Sequence, residues 1–163
     1  MNGPSFSHTD EHGRARMVDV GDKTPTVRTA VATGIVRTTA EVIDLLQRDG
    51  LPKGDALASA RIAGIMAAKK TPELIPLCHP IALSGVVIDL DLSATAVKIT
   101  ATVRTTDRTG VEMEALTAVA VAGLTLHDMI KAVDPAATID EVRVESKDGG
   151  KTGSWTRPDA VTA

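Results

Sequence analysis

Apolar and polar residues alternate along several stretches of the chain, a period of two that is typical of strands with one buried face. The stretches are Thr26–Ile35, Val86–Leu92, Val97–Val103 and Val142–Val144. Only a short polar link separates the second stretch from the third, so these two are predicted to form a hairpin. The alternation therefore predicts four strands.

Three further segments carry apolar residues at helical spacing. The first follows Thr38 or Thr39, either of which can cap a helix, and it is expected to end before Pro52. The second runs from about Asp55 to Lys70, and the third and longest runs from Val111 to Val133. The order β-α(α)-β-β-α-β predicts a ferredoxin-like α+β fold, in which an antiparallel sheet carries its helices on one face.

The longest predicted helix has no charged residue between Ala115 and Leu126 and is apolar nearly all round. Such a helix is buried on more than one side. Because one sheet covers one face, we expect the rest of its surface to meet another subunit, with Ala118, Ala122 and Gly123 allowing close approach. The sequence thus predicts an oligomer.

The 163 residues suit a single domain, predicted over residues 25–158 after a flexible arm at 1–24 that is rich in Gly, Ser, His, Asp and Arg. A net charge of -3 gives the chain as a whole no nucleic-acid footprint. The single Cys78 excludes an intramolecular disulfide, the N-terminus lacks the pattern of a secretion signal, and the longest uncharged run is too short to cross a bilayer. We therefore expect a cytoplasmic protein.

Candidate acid-base chemistry lies near the end of the longest helix, where Asp128 and Lys131 are three residues apart and share a face. From spacing alone, a solvated ion pair is the simpler interpretation. Glu114 lies on nearly the same face, but about 21 Å away along the helix axis. If both ends of the helix serve active sites, those sites are expected to be shared between subunits.

A second group of candidates lies between Pro76 and Pro80, two prolines that restrict the backbone. Of the two reactive side chains there, His79 is favoured as an anion or substrate ligand over Cys78 as a nucleophile, because adjacent side chains usually point apart. The alternative is a structural role for both.

Two other motifs are weaker. The segment from His8 to His12 contains metal-ligand residue types, but it falls in the predicted arm and lacks partner ligands. The run from Lys147 to Gly153 ends in Gly-Lys-Thr, yet it lacks the first glycine of a phosphate loop and no helix is predicted after it. It is expected to act as a glycine-rich flap over phosphates, or else as a basic tail.

Several long strings occur in order between about residues 7 and 153. They are Met17-Val18-Asp19-Val20, Lys53-Gly54-Asp55, Ala60-Arg61-Ile62-Ala63-Gly64-Ile65, the segment Thr71 to Pro80 with Leu77-Cys78-His79-Pro80, Gly110-Val111-Glu112-Met113-Glu114-Ala115-Leu116-Thr117-Ala118, Asp128-Met129-Ile130-Lys131-Ala132-Val133, and the Lys147 to Gly153 loop. With these strings the chain resembles the cyclic pyranopterin monophosphate synthase family of molybdenum cofactor biosynthesis.

The resemblance implies a ferredoxin-like subunit in a homohexamer, a trimer of dimers with active sites at subunit interfaces. It also implies a lyase that converts 3',8-cyclised dihydro-GTP to cyclic pyranopterin monophosphate and diphosphate. No tightly bound cofactor or protein metal site is implied, and any Mg²⁺ would come with the triphosphate. By resemblance, the catalytic residues are Asp128, Lys131 and Lys53, and the substrate-binding residues are Leu77, Cys78, His79, Met113, Glu114, Glu112, Arg28 and Lys147.

Two other functions are compatible with the residues taken alone. One is an oligomeric module that binds a nucleotide without chemistry. The other is a metal hydrolase that uses His8, His12 and His79.

Overall fold

The computed structural model of the chain describes residues 8–10, 12–48, 51 and 55–158. Its elements are β1 (Thr26–Arg37), α1 (Ala40–Gln47), α2 (Ala56–Lys69), α3 (Thr71–Leu74), β2 (Leu83–Leu92), β3 (Ala96–Asp107), α4 (Glu112–Ile130), β4 (Thr138–Asp148) and β5 (Trp155–Thr156). The strands form an open antiparallel sheet in the order β2-β3-β1-β4-β5. The predicted α+β class is confirmed, and β3 lies between β1 and β2 as the ferredoxin-like plan requires.

The two helices that precede the hairpin begin at side-chain caps. The Thr39 hydroxyl accepts a hydrogen bond from the backbone N–H of Val42 at 3.3 Å, and the Asp55 carboxylate accepts one from Ala58 at 2.8 Å. Each cap satisfies an N–H that has no partner inside its helix. Capping therefore fixes where α1 and α2 start; the sequence predicted a cap at Thr38 or Thr39 for α1 and a start near Asp55 for α2.

Two short elements were not predicted. Helix α3 is a single turn that begins one residue after the C-cap of α2 and has a proline in its first turn. Strand β5 has only two residues, and its Trp155 pairs with Lys147 at the end of β4. Neither is long enough to show a period in the sequence.

Helix α4 is packed between the sheet and α2, and it contacts β1, β3 and β4. Glycines allow this packing: a Cβ at Gly34 would lie 2.6 Å from Val119 Cγ1, and a Cβ at Gly64 would lie 2.9 Å from the Ala118 carbonyl oxygen. Both distances are shorter than a van der Waals contact. Glycine at these positions is therefore what lets β1 and α2 approach α4 so closely.

This packing corrects one expectation. Ala118, Ala122 and Gly123 were predicted to face another subunit, but all three are buried within the chain. The first two lie against Gly64 of α2, and Gly123 lies against Ile139 and Ile99. The prediction was wrong because α2 covers Ala118 and Ala122, while the sheet covers Gly123.

The 19-residue helix α4 is long and apolar enough to cross a membrane by length and composition alone, and it is the one such helix among the described residues. Half of it is buried in the domain, and it contributes Val119, Leu126 and Ile130 to the hydrophobic core. These are the properties of a core helix.

We expect Gly64→Ala to lower the free energy of unfolding by about 1–2 kcal/mol, even though alanine is the better helix former by about 1 kcal/mol. The added methyl group meets the Ala118 carbonyl, which belongs to the backbone of α4 and has little room to move. Urea unfolding followed by circular dichroism measures the effect.

Gly85→Ala is the matched control, because a Cβ at Gly85 meets no atom within 4 Å. A Gly64→Ala protein as stable as the wild type would show that the contact between α2 and α4 is looser than described.

Candidate active site

A cavity of about 420 Å³ opens beside the N-terminal end of α4. Three segments line it: the Leu77-Cys78-His79 turn, the first residues of α4 including Glu112, Met113 and Glu114, and arm residues that include Val18 and Lys23. We call this the main cavity. It brings together six of the residues that the resemblance assigns to substrate binding.

A second, smaller cavity of about 130 Å³ shares Gly110 and Glu112 with the main cavity. Arg28, Lys147 and the glycine-rich loop after β4 complete its lining. We call this the side cavity. The two remaining residues assigned to substrate binding thus lie next to the first six.

Glu114 is the most buried ionisable group of the main cavity, with 3% of its surface exposed. Burial, and to a smaller extent the charge of Glu112, raises the pKa of Glu114 to about 7, against the opposing effect of a backbone hydrogen bond. A carboxyl group in this state donates or accepts a proton near neutral pH.

Cys78 lies in the same cavity, where burial and the charge of Glu114 raise the pKa of its thiol. A raised pKa lowers the fraction of thiolate, which is the nucleophilic form. The electrostatics therefore agree with the choice of Cys78 as a contact residue and not a nucleophile.

The His79 ring is held by the arm, because Nε2 lies 2.7 Å from the carbonyl oxygen of Val18. A carbonyl oxygen only accepts hydrogen bonds, so Nε2 carries the proton and donates it. His79 also lines the main cavity. His79 is thus oriented by the segment that was predicted to be a flexible arm.

The basic side chains of the side cavity are positioned by different partners. Arg28 donates from Nε to the carbonyl of Asp107 at 3.0 Å and from Nη2 to the carbonyl of Arg108 at 3.2 Å. Lys147 forms an ion pair with Glu112, with Nζ 3.1 Å from Oε1. The guanidinium is therefore fixed by backbone, whereas the ammonium group is held by a carboxylate.

The glycine-rich loop lies directly over Arg28. Gly149 and Gly150 have φ angles of 94° and 77°, which favour glycine, and a Cβ at Gly149 or Gly150 would collide with the Val27 carbonyl or the Arg28 guanidinium. The loop is followed by β5 and not by a helix. This confirms that it is not a phosphate loop of the Walker type, while its closeness to Arg28 suits a cover over an anion.

Asp128 and Lys131 lie at the opposite end of α4 from both cavities. Their side chains form an ion pair of 2.7 Å between Nζ and Oδ1, and about half of each side chain is exposed. This is the solvated pair that spacing alone favoured. Fourteen residues of one straight helix separate Asp128 from Glu114, about 21 Å, so one chain does not bring the two groups to a common substrate.

Lys53, the third residue assigned to catalysis, lies outside the described residues. Within the described residues, no group of three or more His, Cys, Asp and Glu side chains is arranged to hold a metal ion, and this includes His8, His12 and His79. The histidine-based metal hydrolase therefore has no site in the described part of the chain.

Sequence reasoning missed Lys23, which lines the main cavity and also a groove beside Arg28 and Lys151. It overlooked Val18 and Val20 as cavity residues as well. The available signal was the Met17-Val18-Asp19-Val20 string, which carried the resemblance although it lay in the predicted arm.

The raised pKa of Glu114 predicts how stability depends on pH. Between about pH 4.5, where the unfolded carboxyl ionises, and about pH 7, the folded state binds more protons than the unfolded state, so stability falls as pH rises. Glu114→Gln keeps the shape of the neutral acid but does not titrate. We expect its stability relative to wild type to improve by on the order of 2–3 kcal/mol from pH 5 to pH 8, measured by urea unfolding at one protein concentration.

Glu41→Gln serves as the control, because it removes an exposed carboxylate on α1 that lies outside both cavities. A stability difference for Glu114→Gln that does not change between the two pH values would contradict the raised pKa.

Comparison of the sequence with known proteins shows which family the chain matches. The family model described as the MoaC family matches residues 17–150. Cyclic pyranopterin monophosphate synthase 2 of Mycobacterium bovis is 65% identical over 93% of this chain and 91% of its own length. Cyclic pyranopterin monophosphate synthase of Streptomyces coelicolor is 66% identical (93% and 89%), and that of Corynebacterium efficiens is 58% identical (92% and 97%). The chain therefore belongs to the MoaC family.

Proposed function

We propose that the chain is a cyclic pyranopterin monophosphate synthase of molybdenum cofactor biosynthesis. It is a lyase that converts (8S)-3',8-cyclo-7,8-dihydroguanosine 5'-triphosphate to cyclic pyranopterin monophosphate and diphosphate. The observation that carries this proposal is an identity of 58–66%, over more than nine tenths of the chain, to proteins of that name from several genera.

The reaction opens a purine-derived ring, builds a pyranopterin and closes a cyclic phosphate, all without redox change. It therefore needs several proton transfers. A carboxylate and an amine one helical turn apart, Asp128 and Lys131, serve as base and acid, and the resemblance assigns Lys53 to the same catalytic set. Glu114, with a pKa near neutrality, adds a further proton donor or acceptor in the main cavity.

Release of diphosphate concentrates negative charge on the leaving group. Four basic side chains suit this charge: Lys23, Arg28, His79 and Lys147 all line the two adjoining cavities. Arg28 and Lys147 in the side cavity are placed to hold phosphates, and the main cavity is large enough for the ring system next to them.

We further propose that active sites are shared between the subunits of a homohexamer. The distance of about 21 Å between Glu114 and Asp128 along α4 requires that Asp128 and Lys131 of one subunit meet the main cavity of another. Apolar side chains stand exposed on the outer side of the helices: Ile62 and Met66 on α2, Leu74 on α3 and Leu124 on α4. Such a surface is typical of an oligomer interface.

The enzyme is proposed to work in the cytoplasm, where a GTP-derived substrate is formed, and to need no tightly bound cofactor. Mg²⁺ would accompany the triphosphate, since the hard oxygen ligands it prefers are those of the phosphates.

Asp128→Ala and Lys131→Ala are each expected to lower turnover by about 10²-fold or more while leaving folding and assembly intact, because a general acid or base contributes on this scale. Turnover is measured by incubating the protein with the cyclised GTP precursor and following diphosphate and the fluorescent oxidised pterin. A nucleotide-binding module would give neither product.

The Asp44–Arg48 ion pair of α1 is a matched control, because it is also exposed and joins Nη2 to Oδ1 at 2.8 Å. Asp44→Ala should leave turnover unchanged.

Mixing Asp128→Ala with Glu114→Ala subunits by unfolding and refolding them together should restore roughly a quarter of the sites by random assembly. No recovery would contradict a site shared between subunits, and near wild-type turnover of Asp128→Ala would remove its catalytic role.

Met66→Asp is expected to dissociate the oligomer, because it places a charge in the exposed apolar groove that Met66, Leu74 and Val121 line. Light scattering at micromolar concentration should show a hexamer for the wild type and smaller species for the variant.

Val87→Asp makes the same change at an exposed valine of β2, on the sheet face opposite the helices. Dissociation by Val87→Asp and not by Met66→Asp would move the interface to that sheet face. A monomeric wild-type protein would contradict the proposed assembly.

A further inference from the structure

Glu112 stands at the boundary of the main and side cavities and forms the ion pair with Lys147. The two side chains are partly exposed, 28% for Glu112 and 37% for Lys147. The pair is therefore open to ligands that enter either cavity.

The pair places a carboxylate where phosphates would bind. Of the two basic side chains that line the side cavity, Arg28 is engaged by two backbone carbonyls, which leave its charge uncompensated. Lys147 is engaged by Glu112, whose negative charge cancels its own. A phosphate group that reaches Lys147 must compete with Glu112.

Glu112 can yield its place by side-chain rotation. It is the first residue of α4, and its carboxylate is folded over Gly110, where a Cβ would collide with it. Turning the side chain away breaks no backbone hydrogen bond of the helix, and glycine at 110 leaves the space in which it moves.

We propose that Glu112 and phosphate exchange at Lys147. Without substrate, Glu112 neutralises Lys147. When substrate binds, the Glu112 carboxylate gives way to the substrate phosphates, and it returns as diphosphate leaves. This inference rests on the proposed function for the identity of the anion. The exchange weakens binding of every phosphate ligand. The substrate compensates through contacts of its ring system in the main cavity, whereas free diphosphate does not, so Glu112 selects against ligands that offer phosphate alone and favours product release.

Calorimetric titration with inorganic diphosphate tests the exchange on the full-length assembled protein. Glu112→Gln should bind diphosphate roughly three- to tenfold more tightly than wild type, the range expected when a partly exposed competing charge is removed. Lys147→Met should bind it more weakly. Adding Glu112→Gln to Lys147→Met should change the affinity by less than about twofold, because the carboxylate then has no ammonium group to occupy.

Asp148→Asn is the matched control, since Asp148 also lines the side cavity but accepts its hydrogen bond from Ser154. Its effect should stay below about threefold. Unchanged or weaker binding by Glu112→Gln, an equal gain in the Lys147→Met background, an equal gain from Asp148→Asn, or no binding by any of the proteins would overturn the proposal. Since titration needs no turnover, a wild-type protein that binds diphosphate as described but fails to convert the cyclised precursor would instead remove the proposed function.

Discussion

The close packing of α4 between the sheet and α2 is the constraint on which the rest of the structure depends. Gly34 and Gly64 hold β1 and α2 against the middle of this helix, and each contact leaves no room for a side chain. A helix fixed along its length acts as a rigid spacer. Its acidic first turn is thereby kept about 21 Å from the pair formed by Asp128 and Lys131, and the proposed division of the chemistry between subunits rests on this distance.

The two carboxylates of the first turn of α4 show how burial separates the roles of neighbouring groups. Glu112 is partly exposed and forms an ion pair with Lys147. Glu114, two residues further on, is buried beneath the Leu77-Cys78-His79 turn, and its pKa rises to about 7. Since helix geometry points residues two apart in different directions, one turn presents an ion-paired carboxylate at the boundary of the two cavities and a titratable acid inside the main cavity.

The sequence predicted those elements whose residues follow a regular pattern, such as alternating burial in a strand or a capping residue before a helix. Alternation predicted the four long strands, and Thr39 and Asp55 marked helix starts because capping selects side-chain oxygens. The single turn α3 and the two-residue strand β5 are too short to show a periodic pattern. The sequence also does not reveal which neighbour a small residue such as Ala118 approaches. For the site, six residues that the family strings assign to substrate binding line the main cavity together, but Lys23 and the bond from His79 to Val18 depend on how the arm lies against the domain. No local pattern encodes that contact.

In the proposed assembly, exclusion of solvent from Asp128 and Lys131 would link subunit contact to catalysis. In the single chain the pair is half exposed, where solvent screens both charges and an ion pair is worth little. Acid-base work requires the pKa values of neighbouring groups to be pulled apart, and desolvation is the strongest means of doing so. The main cavity of a second subunit, closing over the pair with substrate between them, would exclude that water and bring Glu114 to the reacting atoms. On this view, subunit assembly would itself give the acid and the base their working pKa values, because the active site is complete only when two subunits meet.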